Sequence, residues 1–208
     1  MVITEIKKNK NAPGFSIIAD GEFLFSLDGE TILKEGIKKG MEISESEADA
    51  LKFKADYFKA KEKALRLLDR RAHSKAEIIR KVSENYPKEV AVKVAERLEE
   101  IGLINDESFA RIYFKELSEV KKFGINRIKT ELYKRGIAKE IIEVLSEELS
   151  DNEPYKKVLL EIKRRPFDFS SEKEKRRVFN KFLRNGYSYD DIKTAFALLD
   201  EDFPDEEY

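Results

Sequence analysis

Few residues of this 208-residue chain have the types and spacing that catalysis requires. The chain contains one histidine, His73, and no cysteine, which excludes a thiol nucleophile, a thiolate zinc site and a disulfide. His73 stands beside Ser74 in a stretch that we interpret as a surface turn, and no glycine-rich loop of the kinds that hold phosphates is present. The sequence therefore predicts a protein that is not an enzyme and that uses no cofactor.

Carboxylates do occur close together, but their surroundings favour a structural explanation. Neighbouring pairs lie at Glu99-Glu100, Glu147-Glu148 and Asp190-Asp191. These pairs fall on segments with helical apolar spacing, so we interpret them as solvated helix surface. A metal-binding cluster of Asp20, Glu22 and Asp28 is conceivable, yet an aspartate beside a glycine is typical of a turn and requires no metal.

Basic side chains are the stronger candidates for function. Lysine and arginine together number 41, so most of them must simply face water. Pairs and triplets near loops are better placed to reach a partner, as at Arg70-Arg71 and at Lys163-Arg164-Arg165 before Pro166. The candidate partner-binding or DNA-binding residues are Arg70, Arg71, Lys75, Lys121, Lys122, Arg127, Lys134, Arg135, Lys163, Arg164, Arg165, Arg176, Arg177 and Arg184.

The net charge of -1 conceals an uneven distribution along the chain. Residues 61–150 carry 20 basic and 17 acidic side chains, and residues 151–199 carry 12 and 8. Residues 200–208 carry no basic and six acidic side chains. We expect the basic part to bind an anionic partner and the acidic tail to screen it, although solvated surface with a frayed terminus explains the same pattern.

The N-terminal segment has the alternation of β-strands. We expect strands in VITEI, GFSIIAD and EFLFSL, with a tight turn at Asp20-Gly21 and with Phe23, Phe25 and Leu27 on one face. A short helix, ETILKEG, and an extended segment, MEI, should complete a small sheet domain. No apolar run is long enough to span a membrane and the N-terminus lacks the apolar core of a signal peptide, so we expect a cytoplasmic protein.

Capping patterns predict the helices that follow. Serine precedes glutamate by three residues at Ser44, Ser74 and Ser171, the spacing of a capping box. The first of these should begin a long helix from Glu45 to about Arg71. Pro87 fits the first turn of a helix reaching Ile101, and Asn105 should cap a helix that buries Phe109, Ile112 and Tyr113. We expect helices to end at Gly124, Gly136 and Gly186.

The helical part repeats itself with a period of about 50 residues. Displacing the sequence by fifty positions places Ile128, Leu132, Gly136, Ile142 and Leu149 on Val178, Phe182, Gly186, Ile192 and Leu199. The opposite displacement places Ile128, Leu132, Ile142 and Val144 on Ile78, Val82, Val92 and Val94. The predicted fold is mainly α, with about three tandem three-helix repeats in an elongated curved array after a small β domain.

The expected boundaries follow from these elements. We place a small β-sheet domain at residues 1–43, a connecting helix at 44–63 and an acidic tail at 201–208. The three-helix repeats occupy residues 64–106, 107–150 and 151–200.

Three segments resemble the RecX family of recombination regulators. They are ALRLLDRRAHSKAEI, a helix ending in a basic pair before a capping serine; RLEEIGLINDESFA, a Gly-hydrophobic-Asn-Asp hinge; and ELYKRGIAKEIIEVL, with a Leu-x-x-x-Gly-Ile turn. The resemblance covers roughly residues 60–200, and the N-terminal hairpin is similar to that of many members. One departure is Tyr86-Pro87, which replaces the usual glycine turn in the first repeat.

The resemblance implies a monomeric protein that binds RecA and its filament on single-stranded DNA. It further implies that the protein inhibits ATP hydrolysis and strand exchange in homologous recombination and DNA repair. Two alternatives remain open from the residues alone. One is a sequence-specific helix-turn-helix DNA-binding protein, although its recognition helices, 88–101 and 139–149, carry many glutamates that would face phosphates. The other is a metal-dependent nuclease in the β domain.

Overall fold

The computed structural model describes residues 1–10, 14–149, 153–164 and 171–202, the last three of these without their side chains. The chain divides into two compact units, Met1–Ile104 and Asn105–Tyr208. The described residues are mostly helical and begin with a small sheet. The predicted fold class, a small β domain followed by tandem three-helix groups, is confirmed.

The sheet forms because three short apolar segments alternate and are joined by tight turns. Its strands are β1 (Ile3–Lys8), β2 (Phe15–Ala19) and β3 (Glu22–Leu27), antiparallel in the order β1-β2-β3. Asp20 and Gly21 both have positive φ, 50° and 85°, as a type I′ turn requires. The predicted hairpin is therefore confirmed.

The expectation that Phe23 shares the inner face of β3 is wrong. Ile17 pairs with Phe25, whereas the next residue, Ile18, pairs with Phe23, so Leu24 is an extra residue in a β-bulge. Because one extra residue reverses the faces, Phe25 and Leu27 are buried while Phe23 is 61% exposed. Helix α1 (Gly29–Lys34) follows, capped by Asp28, and Glu42 pairs with Val2 at the sheet edge.

A single long helix, α2 (Glu45–Arg70), serves both parts of the first unit. Ser44 and Glu47 form the predicted capping box. The first half of α2 packs on the sheet through Leu51 and small residues such as Ala55, and its second half contributes Ala60 and Ala64 to the core of the first helical group. The other helices of this group are α3 (Lys75–Ser83) and α4 (Lys88–Glu100).

The second unit contains a second and a third helical group. The second consists of α5 (Asp106–Lys115), a π-helix (Glu116–Val120), α6 (Ile125–Lys134) and α7 (Lys139–Leu149). The third consists of α8 (Pro154–Lys163), α9 (Glu172–Arg184) and α10 (Tyr189–Asp202). Each group has its own core, built for example on Leu132 in the second and on Phe182 in the third.

The predicted repeat is confirmed between the second and third groups. Ile128 and Val178 are both buried, and so are Leu132 and Phe182. Gly136 and Gly186 both follow a helix with positive φ, and in each case the next amide bonds to the carbonyl five residues earlier.

The correspondence of the first group is wrong by one residue in its last helix. Val94 is fully buried whereas Val144 is 53% exposed, and the buried Ile142 corresponds to Ala91 rather than to Val92. The first group lacks the left-handed glycine, since the Tyr86 amide bonds to the carbonyl four residues earlier, at Val82. One residue is therefore missing at the turn where Tyr86-Pro87 departs from the family pattern.

Four local predictions need correction. Ile112 is 65% exposed, because the buried stripe of α5 runs through Phe109, Ala110 and Phe114. Ser171 precedes α9 but makes no side-chain capping bond, unlike Ser74 and Asn105. Pro87 precedes α4 as its cap residue instead of standing in its first turn. Gly124 does not end a helix; it begins α6, with an ordinary φ of −76°.

Candidate partner-binding surface

The candidate basic residues of the first unit surround the turn between α2 and α3. Arg71 caps the C-terminus of α2, and its guanidinium lies 3.1 Å from the carboxylate of the buried Glu77. Lys75 pairs with Glu99 at 2.7 Å, while Arg70 is exposed in the last turn of α2. Two of the three basic side chains therefore hold helices together.

His73 is not in a surface turn, contrary to expectation. Its side chain is buried, with only 4% exposed, and its ring Nδ1 lies 2.9 Å from the Arg71 carbonyl oxygen. Burial lowers the pKa of His73 from its ordinary value, and this effect outweighs the hydrogen bond to Arg71, which raises it. Neutral His73 is thus part of the packing between α2 and α3.

In the second unit, two distant segments meet at their backbones. The Gly124 amide donates to the Asn185 carbonyl at 2.8 Å, and the Asn126 amide donates to the Gly186 carbonyl at 3.1 Å. A Cβ atom added to Gly124 would lie 2.4 Å from the Gly186 backbone, and one added to Gly186 would lie 2.3 Å from the Arg127 amide. Glycine is therefore required on both sides of the contact.

The π-helix leads the chain into this contact. The π-helix ends at Val120, Lys122 takes a positive φ of 55°, and Gly124 then begins α6. The Tyr187 hydroxyl of the third group donates to the Lys122 carbonyl at 3.2 Å. Because its backbone is held in this way, the turn presents the exposed side chains of Lys121 and Lys122 at a fixed place.

Arg127 joins the two sides of the contact through its side chain. Its guanidinium lies 3.9 Å from the centroid of the Phe123 ring, a cation–π distance. It also donates to the Arg184 carbonyl at 3.2 Å and to the Asn185 side-chain oxygen at 3.3 Å. Arg184 ends α9 with an exposed side chain.

These contacts bring four of the sequence candidates together. We call Lys121, Lys122, Arg127 and Arg184 the junction cluster. The two segments that supply them, 120–130 and 175–189, contain no aspartate or glutamate. Positive charge therefore concentrates where the segments meet, which favours an anionic partner at this place.

The remaining candidates are more dispersed. Lys134 pairs with Glu131 at 2.9 Å, and Arg135 stacks on the Tyr113 ring with its guanidinium carbon 4.9 Å from the centroid. At the end of α8, Lys163 is exposed and Arg164 pairs with Glu161 at 3.0 Å, whereas Arg165 lies outside the described residues. Arg176 and Arg177 are exposed on α9 beside Lys173.

Sequence reasoning missed the contact between Gly124 and Gly186, although one signal of it exists. At a displacement of fifty positions, Gly124 corresponds to Ser74, which caps α3 through its side chain. A glycine at a position where a sister repeat has a capping serine indicates that another backbone approaches closely.

The sequence had also raised a metal cluster in the β domain. Asp28 instead caps α1 through Thr31, and Asp20 accepts a bond from the Val2 amide at 3.0 Å. In residues 1–10, 14–149, 153–164 and 171–202, no three His, Asp or Glu side chains are grouped so as to hold a metal ion. Over the same residues, no helix has the length and apolar character to cross a membrane.

Comparison with known proteins yields one family throughout. Residues 1–44 match the model of the RecX N-terminal domain, residues 60–98 the first RecX three-helix domain and residues 105–144 the second. Two solved structures share the fold. "Crystal structure of regulatory protein RecX" covers 94% of this chain and 98% of its own, with a TM-score of 0.67 and 20% identity. RecX from Lactobacillus salivarius covers 70% and 97%, with a TM-score of 0.58 and 23% identity.

Curated relatives match over nearly the whole chain. Regulatory protein RecX of Caldanaerobacter subterraneus is 30% identical over 95% of this chain and 100% of its own length. Regulatory protein RecX of Clostridioides difficile is 28% identical over 95% of both chains. With the domain matches in the same order as the sheet and the first two helical groups, these similarities show that the chain belongs to the RecX family of regulatory proteins.

Proposed function

We propose that this protein binds the RecA filament on single-stranded DNA and inhibits its ATPase and strand-exchange activities. Membership of a regulatory family supports a role in controlling another protein. The observation that carries the proposal is the junction cluster, four basic residues gathered from two acid-free segments. A nucleoprotein filament presents a long anionic surface, and such a cluster suits it.

The junction cluster is also suited to binding because its backbone is rigidly held. Three main-chain carbonyl groups, those of Lys122, Asn185 and Gly186, accept bonds across the contact. The lysines therefore lose little backbone freedom on binding, so more of the electrostatic attraction appears as affinity. Phosphate contacts of this kind carry no sequence information, which fits a partner coated along its length better than one DNA site.

We further propose that the protein works by binding alone, as a monomer in the cytoplasm. Its one histidine is buried against the Arg71 carbonyl, where it cannot reach a substrate. The buried Glu77 pairs with Arg71 and accordingly serves the packing of α3. The most enclosed polar groups of the first unit are thus engaged with one another.

An ATPase measurement tests the proposal. RecA, ATP and single-stranded DNA are mixed with increasing amounts of this protein, added before or after filament formation. We expect RecA turnover to slow, and the order of addition separates blocked assembly from an effect on formed filaments. Unchanged RecA turnover at a molar excess of this protein would contradict the proposed function.

A charge-reversed pair tests whether the junction cluster carries the activity. Lys121→Glu with Lys122→Glu should raise the half-inhibiting concentration by about tenfold or more, because two attractive contacts become repulsive. Lys38→Glu with Lys39→Glu makes the same charge change at an exposed pair in the β domain and should leave inhibition near wild type. An equal effect of the two pairs would indicate that net charge alone matters.

A further inference from the structure

A pocket lies beside the junction cluster, between the second and third helical groups. Its volume is about 300 Å³, in the range of small ligand sites. Apolar side chains form most of its wall: Phe114, Phe123, Ile125, Ile128, Leu149, Pro154 and Tyr187. We call it the junction pocket.

The backbone contact between the two groups sets the width of this pocket. Gly124 and Tyr187 belong to the wall, and each is hydrogen-bonded to the opposite group. Neither group can move inward to fill the space without breaking these bonds. The pocket is therefore a feature that the fold maintains.

The rim of the pocket carries charge of mostly one sign. The Lys157 ammonium lies 3.2 Å from the Ser118 hydroxyl, and both residues line the pocket. Lys129 lines it too, opposed by one carboxylate, Glu147. An apolar interior with two ammonium groups near its opening fits an apolar body that carries negative charge beside it.

A nucleic acid fits this pocket less well than a protein segment does. Bases bind to proteins by stacking on aromatic faces, but the Arg127 guanidinium already covers a face of Phe123. Glu147 would also repel a phosphate. A single large apolar side chain matches the size of the pocket, and such anchors in pockets dominate many protein interfaces.

We propose that the junction pocket receives a large apolar side chain, such as phenylalanine, from an acidic segment of a protein partner. Carboxylates next to that anchor pair with Lys129 and Lys157. The proposal rests on the proposed function for the source of the segment, which is a protomer of the RecA filament. It adds a protein contact to the electrostatic attraction of the junction cluster.

The first arm of the test examines the pocket without RecA. The full-length, ¹⁵N-labelled protein is titrated with three capped tripeptides: Asp-Phe-Asp, Asp-Ala-Asp and Lys-Phe-Lys. We expect Asp-Phe-Asp alone to shift the amide signals of Ser118, Gly124 and Tyr187. Absence of shifts, or equal shifts with all three peptides, would overturn the pocket proposal whatever happens with RecA.

The second arm measures affinity for RecA filaments. Lys157→Glu reverses the charge at the rim, and Ser118→Trp fills the pocket from the half-exposed π-helix. Each should weaken filament binding by about tenfold or more, as loss of an anchoring contact does. Lys156→Glu makes the same charge change one residue away, outside the pocket wall, and should bind as wild type does. Thermal unfolding of each variant establishes that it folds.

The outcomes of the two arms separate the two proposals. If the wild-type chain fails to bind RecA filaments yet Asp-Phe-Asp shifts the pocket, the proposed function is overturned and the pocket chemistry stands. If the chain binds filaments and both pocket variants bind equally well, the pocket proposal is overturned. Loss of affinity for free single-stranded DNA in these variants, with RecA contact retained, would overturn it in favour of a nucleic-acid occupant.

Discussion

At the scale of single residues, basic side chains of the same type serve different purposes in this chain. Arg127 and Arg135 lie against aromatic rings, where their guanidinium groups bond to neighbouring oxygens. Lys121 and Lys122 are instead exposed on a turn whose backbone is fixed. The arginines hold the surface together and the lysines offer it to a partner. Replacing Arg127 should therefore disturb structure and binding together, whereas replacing the lysines should disturb binding alone.

Phe109 gives a prediction about stability. It is 8% exposed in the core of the second helical group and stacks on Tyr113 with ring centroids 5.8 Å apart. Phe109→Ala should lower the free energy of unfolding by about 3 to 5 kcal/mol, because truncation leaves a cavity. Ile112→Ala on the same helix removes a mostly exposed side chain and should cost within about 0.5 kcal/mol. Chemical denaturation checks both, and similar losses would show that Phe109 is not part of the core.

His73 gives a prediction about pH. Burial lowers its pKa in the folded chain below the ordinary value of 6.5, so the unfolded chain binds a proton more readily. The stability from burying the neutral ring is fully present above about pH 6.5 and is lost as the pH falls towards the lower folded pKa. We expect the free energy of unfolding to decline from pH 7 to pH 5 more steeply in the wild-type chain than in His73→Gln.

The pH measurement is clean because the chain has no other histidine. Carboxylates titrate mainly below this window and do so alike in both proteins. Urea unfolding at several pH values gives the two slopes directly. Parallel slopes would mean that His73 is as easily protonated in the folded chain as in the unfolded one.

At the scale of helices and turns, the contact between Gly124 and Gly186 combines two separable requirements. Gly186 has a positive φ of 89° and also approaches the Arg127 backbone, whereas Gly124 has an ordinary φ and only the close approach. Gly102 has a positive φ of 75° with no atom within 4 Å of an added Cβ. Three alanine substitutions can therefore separate backbone strain from steric contact.

The glycine prediction concerns the link between the second and third helical groups. Gly124→Ala should open the contact without backbone strain, so the amides of Gly124 and Asn126 should exchange hydrogen at least about tenfold faster, a loss of about 1.4 kcal/mol of protection. Gly186→Ala should do the same and also destabilise its own turn. Gly102→Ala should cost about 1 kcal/mol from strain alone and leave exchange in the second unit unchanged. Hydrogen exchange followed by NMR checks all three, and unchanged protection in Gly124→Ala would contradict the close contact.

The sequence could predict helix beginnings because capping is local. Ser44 and Asn105 satisfy amides within three residues of themselves, so pattern and outcome agree. The contact of Gly124 with Gly186 joins residues far apart in the chain, and each glycine alone suggests a helix end. The register of α4 was missed for a similar reason, since the residue absent before Tyr86-Pro87 shows only when buried faces are compared. The bulge at Leu24 likewise depends on pairing with β2 and not on its own strand.

At the scale of the whole molecule, charge is arranged along the chain more informatively than its total of -1 suggests. The second helical unit contains the acid-free segments of the junction cluster, and the chain after Leu199 has six carboxylates and no basic side chain. The residues beyond Asp202 lie outside the described residues. An acidic segment on the same chain as a basic binding surface acts as a competitor for that surface, at a concentration fixed by the length of chain between them.

This competition gives the last prediction. Removing residues 203–208, which leaves α10 intact, should strengthen binding to single-stranded DNA or RecA filaments. Asp205→Asn with Glu206→Gln and Glu207→Gln keeps the length and should have the same effect, because the cause is charge. The gain should be larger at low salt than at high salt, since the Debye length falls from about 30 Å at 0.01 M to about 3 Å at 1 M. Charge reversal at Arg164 should weaken the same binding. Affinity measured by fluorescence anisotropy at several salt concentrations checks this, and weaker binding after tail removal would mean that the tail itself contacts a basic patch on the partner.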